Sequence, residues 1–158
     1  MDTAILKRAQ FLALFLPAAL LGGAYISQYG FGLYPCEMCW WQRWPHFAAV
    51  PLALFSFIAV PKRFFTALAG FAILISGLIG GFHAGVEYGW WEGITGCSLP
   101  VVAEEGGSAL DAIMDAPIVR CDAAPWDLFG ISLAGWNFLV SGAGAIAIFT
   151  LLSRSKKA

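Results

Sequence analysis

Long apolar stretches alternate with short polar ones along this chain. A helix needs about 20 residues to cross the roughly 30 Å hydrocarbon core of a bilayer. Four stretches approach or reach that length: residues 9–29, 44–60, 64–83 and 129–152. The second is the shortest and contains Pro45 and Pro51. Residues 108–116 have the spacing of a short amphipathic helix lying on the membrane surface. The pattern predicts an all-α integral membrane protein, a four-helix bundle in one domain over residues 1–158.

The composition supports this assignment. Of the 158 residues, 59% are hydrophobic and only 12% are charged, whereas ordinary globular domains have roughly 25% charged residues. The net charge of −1 gives no reason to expect nucleic acid binding. Residues 1–26 could instead be a cleaved signal peptide, but the apolar run is long for one and lacks a clear cleavage site. We therefore expect the first span to be retained.

The charged residues are distributed asymmetrically between the two ends of the spans. Seven of the nine basic residues flank one side: Lys7, Arg8, Lys62, Arg63, Arg154, Lys156 and Lys157. The positive-inside rule places these residues, and both chain termini, in the cytoplasm. Loops 30–43 and 84–128 are then outside, with nine of the ten acidic residues. All seven Trp also lie on that side, where they predict an aromatic belt.

All four cysteines lie in the two outer loops. Cys36 and Cys39 form a C-x-x-C pair at the start of the second span, and Cys97 and Cys121 are well separated in the second loop. Disulfides persist outside the cytoplasm, so pairing is expected. Three pairings are possible, and Cys36–Cys39 with Cys97–Cys121 is the local one. Because a C-x-x-C disulfide closes a very short loop and stabilises the fold little, the pair indicates redox chemistry.

Arg43 follows the C-x-x-C pair by one helical turn. On a helix, Cys36, Cys39 and Arg43 share one face. The positive end of the helix dipole favours a thiolate on one of the two cysteines. Arg43 could stabilise that thiolate or an oxygen of a reduced cofactor, or it could extend towards lipid phosphates.

Two other interpretations of the cysteines remain. Zinc could bind C-x-x-C with two further cysteines, but no second C-x-x-C is present, and we expect no metal. The alternative from another class is a structural membrane protein whose outer loops are held by inert disulfides. Such disulfides would survive mild reductant.

Three segments resemble the bacterial disulfide bond formation protein B (DsbB) family. They are PCEMCWWQR over residues 35–43, HAGVE over 83–87, and Cys121 followed by WDLFG over 126–130. The likeness covers essentially the whole chain, including the four spans and the two cysteine pairs. Vitamin K epoxide reductase-like enzymes share the general plan and are the nearest competing family, as quinone or epoxide reductases.

The resemblance implies a thiol–disulfide oxidoreductase of the bacterial inner membrane. A soluble periplasmic thioredoxin-fold oxidase, similar to DsbA, would attack the Cys97–Cys121 disulfide at Cys97. Electrons would pass by exchange to the Cys36–Cys39 pair, and from Cys39 to a membrane quinone, ubiquinone or menaquinone. A chain of this kind is what keeps the bacterial periplasm oxidising. The four cysteines would be the catalytic residues.

Further residues are candidates for the quinone site beside Arg43. His83 and Glu87 are spaced i, i+4 at the outer end of the third span, where they could face the quinone or simply pair with each other. His46 lies on the same side of its span as Arg43 and could line the pocket or pack in the core. Trp126 resembles a family tryptophan near the quinone; otherwise it belongs to the aromatic belt.

Overall fold

The chain folds as a helical bundle. The computed structural model describes residues 2–95 and 119–155. Four helices account for most of them: α1 Asp2–Phe31, α2 Glu37–Ile58, α3 Lys62–Glu87 and α4 Leu133–Arg154. The predicted helical fold class is confirmed for these residues, with one addition. A short antiparallel hairpin, β1 Asp127–Leu128 with β2 Ile131–Ser132, precedes α4.

Three of the four helices are long and apolar enough to cross a membrane. They are α1, α3 and α4, with the candidate spans Thr3–Phe31, Lys62–Glu87 and Leu133–Arg154. The composition of α2 is more polar, because its first half contains Gln42, Arg43 and His46. All three of these side chains are buried against the other helices. A fourth span through α2 therefore stays a prediction.

Helix α2 begins at the C-x-x-C motif. Cys36 is its N-cap residue, with extended backbone angles, and its Sγ accepts a hydrogen bond from the Cys39 backbone N–H at 3.3 Å. Helix α1 ends just before it, where Gly32 adopts a φ of 68° that is favourable for glycine. The first outer loop is therefore only a few residues long, and it holds the dithiol against the end of the bundle.

Small residues allow close packing at the end of the bundle away from the dithiol. The core there consists of Ala9, Ala13, Ala49, Ala53, Ala69, Ile73, Ala145, Ile148 and Leu152. Nearer the dithiol, α3 and α4 are so close that a Cβ on Gly80 would lie 2.9 Å from the Ala134 carbonyl oxygen. Small residues at helix interfaces typically permit this approach in membrane bundles. The polar side chains of α2, α3 and α4 consequently meet inside the bundle.

The hairpin fixes the start of α4 beside the end of α3. The Tyr88 hydroxyl donates to the Gly130 carbonyl oxygen at 3.2 Å and accepts from the Ser132 N–H at 3.0 Å. Ser132 in turn caps α4, since its hydroxyl accepts from the Gly135 N–H at 3.1 Å. These contacts close the outer end of the bundle around the dithiol.

Candidate redox site

Cys36 and Cys39 form a close pair at the start of α2. Their sulfurs are 3.1 Å apart, whereas a disulfide bond has a length of about 2.05 Å. Both are free thiols, so the structure corresponds to the reduced form of the pair. The thiol of Cys36 donates a hydrogen bond to the sulfur of Cys39. The predicted Cys36–Cys39 disulfide is the oxidised form and stays a prediction.

The environment of the two sulfurs is unequal. Cys36 is buried, with 3% of its surface exposed. Its hydrogen bond to Cys39, together with burial, raises the pKa of Cys36 to about 12. Cys36 therefore keeps its proton and directs it at Cys39. A thiolate that accepts a hydrogen bond is stabilised, so the negative charge favours Cys39 over Cys36.

Arg43 is buried one turn below the dithiol and points towards α1. Its Nη1 donates to the Gln28 Oε1 at 2.7 Å, and its Nη2 donates to the Ala24 carbonyl oxygen at 3.3 Å. The guanidinium lies 5.2 Å from the ring centroid of Tyr25 and 5.0 Å from that of Trp40. No carboxylate among the described residues forms an ion pair with it. Its charge is held by neutral partners and remains available to an anionic sulfur or oxygen.

A cavity of about 260 Å³ opens beside Arg43, between α1, α2 and α4. We call it the bundle cavity. Its polar lining residues are Ser27, Tyr34, Cys39, Gln42, Arg43, His46, Trp136 and Asn137, and the remaining walls are mainly Leu and Ala. Apolar walls with a few convergent polar groups are typical of small-molecule sites.

A second cavity of about 270 Å³ lies on the other side of the dithiol. We call it the loop cavity, because its walls include the first outer loop and residues 119–125. Cys36, His83, Glu87 and Arg120 line it. Cys39 lines both cavities. Of the two cysteines of the motif, Cys39 is therefore the one that lines both cavities.

His83 and Glu87 lie beside Cys36 and not beside Arg43. His83 Nε2 is 3.5 Å from the Cys36 sulfur and 3.7 Å from Glu87 Oε1. The Nε2 of Gln42 is 2.8 Å from His83 Nδ1 and also donates to the Met38 carbonyl oxygen at 3.2 Å. This fixes the Gln42 amide, so His83 Nδ1 is an acceptor and a neutral His83 has its proton on Nε2. The Nε2–H donor of His83 therefore points towards Cys36 and Glu87.

Three side chains at the dithiol form the one potential metal-binding group in the described part of the chain. The ligand atoms of Cys36, Cys39 and His83 lie within 4.8 Å of one another. Two thiolates and an imidazole are a donor set that zinc uses. However, the Gln42 orientation leaves the proton of His83 on the nitrogen that faces the sulfurs, and a metal would have to displace it. The geometry favours a hydrogen-bonded dithiol.

A buried polar network joins this region to the bundle cavity. Asn137 Nδ2 donates to Gln42 Oε1 at 2.9 Å, and Asn137 Oδ1 lies 3.1 Å from His46 Nε2. The hydroxyls of Ser76 and Ser141 complete the network around His46. Our sequence analysis did not identify Gln42, Ser76 or Asn137. The signal was present, since polar residues within otherwise apolar spans are commonly functional.

The tryptophan in the bundle cavity is Trp136. Its indole N–H donates to the Leu128 carbonyl oxygen at 3.3 Å, which fixes the ring between α4 and the hairpin. Trp126 is 43% exposed and is not among the described residues that line either cavity. The structure therefore does not bring Trp126 together with Arg43.

Cys121 packs directly against the dithiol. It is buried in a small apolar cluster with Cys36, Met38 and Val86, and its thiol interacts with that of Cys36. Burial raises the pKa of the Cys121 thiol. Cys97 and the predicted helix over 108–116 lie outside the described residues. Cys121 itself is a free thiol, and its pairing with Cys97 stays a prediction.

Comparison with known proteins agrees with this geometry. Residues 7–151 match the family model described as disulfide bond formation protein DsbB. Disulfide bond formation protein B of Azoarcus sp. (strain BH72) is 30% identical over 160 residues, 92% of each chain. Disulfide bond formation protein B 2 of Pseudomonas syringae pv. syringae (strain B728a) is 31% identical over 152 residues, 90% of this chain and 86% of the relative. No solved structure matches.

A dithiol at the end of a bundle with membrane-spanning helices defines a membrane thiol–disulfide oxidoreductase. The chain belongs to the DsbB family of disulfide bond formation proteins. Family membership and the three long apolar helices together indicate a protein of the bacterial inner membrane.

Proposed function

We propose that this protein reoxidises a soluble, DsbA-like periplasmic oxidase and passes the electrons to a membrane quinone. The position of Cys39 is the observation that carries the proposal. Cys39 lines both the loop cavity, which Cys36 also lines, and the bundle cavity, which Arg43 also lines. A sulfur at this junction can exchange with thiols on one side and transfer electrons to a small molecule on the other.

The thiol exchanges balance in four steps. A partner thiolate attacks Cys97 of the Cys97–Cys121 disulfide, and Cys121 leaves as a thiolate. Cys121 attacks Cys36 of the oxidised dithiol, and Cys39 leaves as a thiolate. The second partner thiol releases the partner as a disulfide and frees Cys97. Cys97 then attacks Cys121, which restores that disulfide and leaves Cys36 and Cys39 reduced, as they are in the structure.

The packing of Cys121 supports this order. The thiol of Cys121 interacts with that of Cys36, and of these two dithiol cysteines only Cys39 also lines the bundle cavity. Attack at Cys36 therefore leaves the departing charge on Cys39, where Arg43 is one turn away. When Cys36 is itself displaced, the Nε2 proton of His83 can stabilise its thiolate. Among the described residues, buried Glu87 Oε2 has no hydrogen-bond partner, so it could receive a thiol proton.

The bundle cavity fits a quinone head group. Its walls are mostly apolar, and Arg43 brings a positive charge that no carboxylate among the described residues pairs with. Arg43 would hold a quinone oxygen beside Cys39, with His46 and Asn137 in the cavity wall. Ubiquinone or menaquinone, when bound, would accept two electrons and two protons from the dithiol.

The charge distribution supports the orientation of the bundle. Cytoplasmic termini place the dithiol and both cavities at the periplasmic end, where a soluble oxidase can reach Cys97 and Cys121. In this arrangement α2 is the fourth span. Its polar first half is shielded by protein, as is usual for polar residues at membrane depth.

The proposal is tested by anaerobic quinone reduction with the purified protein and a reduced DsbA-like oxidase. We expect turnover in the wild type and none in Cys39→Ser, because the remaining thiol cannot form the intramolecular disulfide. Trp41→Phe, an exposed neighbour on the same helix turn, is the matched control and should retain activity. Absence of wild-type turnover, with disulfides that resist mild reductant, would support the structural alternative.

The electron donor separates this proposal from a vitamin K epoxide reductase-like activity. In Cys121→Ser, Cys97 is a free thiol, and its thiolate attacks the disulfide of the oxidised DsbA-like oxidase, whose second cysteine leaves as a thiolate. With no Cys121 to displace the partner from Cys97, this mixed disulfide should accumulate. It is detected by non-reducing electrophoresis. Quinone reduction that proceeds with other thiols, and without this adduct, would contradict the assigned donor.

A further inference from the structure

His46 lines the bundle cavity and combines burial with an unsatisfied ring nitrogen. Only 3% of its surface is exposed, and its Nδ1 has no hydrogen-bond partner among the described residues. A buried polar atom without a partner is costly, and such atoms in native proteins usually await a water or a ligand. The chemistry of that ligand depends on whether Nδ1 carries a proton.

The hydroxyls beside Nε2 have already used their protons. Ser76 donates its hydroxyl proton to the Gln42 carbonyl oxygen at 2.7 Å. Ser141 donates its own to Asn137 Oδ1 at 2.9 Å. Both serines therefore present lone pairs to His46 Nε2, at 2.9 Å and 3.4 Å respectively.

The amide of Asn137 presents a third acceptor to Nε2. Asn137 Nδ2 donates to the Ser76 carbonyl oxygen at 3.1 Å and to Gln42 Oε1 at 2.9 Å. The Gln42 amide is fixed in turn by its bond to the Met38 carbonyl oxygen. Rotating either amide would bring two oxygens together. Asn137 Oδ1 is therefore the atom that faces His46 Nε2 at 3.1 Å.

Three acceptors around Nε2 place the proton of a neutral His46 on that nitrogen. Nδ1 is then a bare lone pair. We propose that His46 Nδ1 accepts a hydrogen bond from a ligand hydroxyl in the bundle cavity, so that the site holds a hydroquinone in preference to the quinone. This inference rests on the proposed function. A quinone offers only acceptor oxygens, whereas its reduced form has hydroxyl donors.

The preference has a consequence for the reaction. A site that binds the reduced form more tightly favours reduction of whatever quinone it holds. A tenfold difference in affinity corresponds to about 30 mV in a two-electron potential. His46 would thereby help to draw electrons out of the dithiol, independently of the charge of Arg43.

Redox-inert probes test the inference without turnover. 4-Octylphenol has a hydroxyl donor, and its methyl ether, 4-octylanisole, does not. Their dissociation constants are measured by tryptophan fluorescence on the full-length protein in detergent. We expect the affinity ratio of phenol to ether to fall about tenfold from wild type to His46→Phe. Ser27→Ala, which removes another polar group from the same cavity, should keep the wild-type ratio. An equal ratio in wild type and His46→Phe would overturn the inference.

Nitrogen-15 NMR of the histidines tests the same point in the unaltered sequence. The chain has two histidines, and His83→Gln assigns the two sets of signals. We expect the Nδ1 signal of His46 at the chemical shift of an unprotonated nitrogen. This signal should shift when the phenol is added and should not shift when the ether is added. A protonated Nδ1 would overturn the inference. If the protein reduces quinone but shows no preference for the phenol, only the inference about His46 is rejected. If it prefers the phenol but does not reduce quinone, His46 Nδ1 is supported as an acceptor and the proposed function is rejected.

Discussion

The two cavities that meet at Cys39 differ in the groups they present to it. The loop cavity contains ionisable side chains, Cys36, His83 and Glu87, held close together at the end of α3. The bundle cavity contains Arg43 and His46 among neutral amides and hydroxyls. The close Cys36, His83 and Glu87 group is thus on the side of the loop cavity, where Arg120 also lies in the wall, and the buried Arg43 is on the side of the bundle cavity. Under the proposed function, thiol exchange and electron transfer would use opposite sides of Cys39.

Gln42 and Asn137 connect these two sides. Gln42 donates to His83, and Asn137 donates to Gln42 while offering its oxygen to His46. One amide pair therefore sets the proton positions of both histidines, and each carries its proton on Nε2. The nitrogen that is left for the neighbouring site differs between them. His83 directs a proton at the sulfur of Cys36, whereas His46 keeps a lone pair free beside the bundle cavity.

Arg43→Met should give the largest difference between the rate of quinone reduction and the rate of thiol exchange. Losing a preorganised positive charge at a site of developing negative charge typically costs about a hundredfold or more in rate, so we expect quinone reduction to fall about that much. Thiol exchange between the partner and the dithiol should fall less, by at most about tenfold, because the Cys39 thiolate that leaves in that step is also near the positive end of the α2 dipole. Stopped-flow mixing with oxidised protein measures the exchange, and anaerobic quinone absorbance measures the reduction.

Arg8→Met is the matched control for this variant. Arg8 lies exposed on α1, away from both cavities, and its replacement should leave both rates unchanged. Equal loss of exchange and quinone reduction in Arg43→Met would contradict the separation of the two faces.

Breaking the amide link should have a smaller and graded effect. Gln42→Leu removes the donor to His83 and the acceptor for Asn137, so we expect both reactions to slow by roughly tenfold, since each loses a buried hydrogen bond. Asn137→Leu should slow quinone reduction alone, because the Met38 carbonyl oxygen still holds Gln42 towards His83. The same two assays apply, with thermal unfolding in detergent as the check on folding. An equal effect of both variants on thiol exchange would argue against the link.

The helices could be predicted from sequence because apolar spacing and length are local properties. The reactive motif was accessible too, since C-x-x-C and Arg43 lie within one short segment. The separation of the two cavities could not be predicted from sequence, because it depends on how the helices pack against one another. His83 and Glu87 were assigned to the quinone site from their place at a helix end, yet packing of α3 against α2 puts them beside Cys36.

The hydrogen-bond network was beyond sequence reasoning for a different reason. Asn137 is 95 residues from Gln42 and 91 from His46, and neither separation follows a local pattern. The same holds for Trp136 and Trp126, which lie at either end of the hairpin segment. Only the course of the hairpin decides that Trp136 lines the bundle cavity. The role of each residue was set by a tertiary contact between α2, α3 and α4.

The smallest expected effect concerns the unequal protonation of the two sulfurs. The pKa of Cys36, about 12 against an ordinary value of 9.0, is raised first by its hydrogen bond to Cys39 and then by burial. A raised thiol pKa means that Cys36 stays protonated as the pH rises through 9, and becomes a thiolate only near 12. Alkylation of Cys36 in the reduced protein should therefore stay slow up to about pH 10, with Cys39 modified first.

In Cys39→Ala the main cause of the shift is removed, so the pH midpoint for alkylation of Cys36 should move down towards 9 while burial keeps it above that value. Mass spectrometry after timed alkylation across the pH range measures both. If the pH midpoint for alkylation of Cys36 is the same with and without Cys39, the hydrogen bond between the two sulfurs is not what keeps Cys36 protonated. The preference for a thiolate on Cys39 would then lack this support.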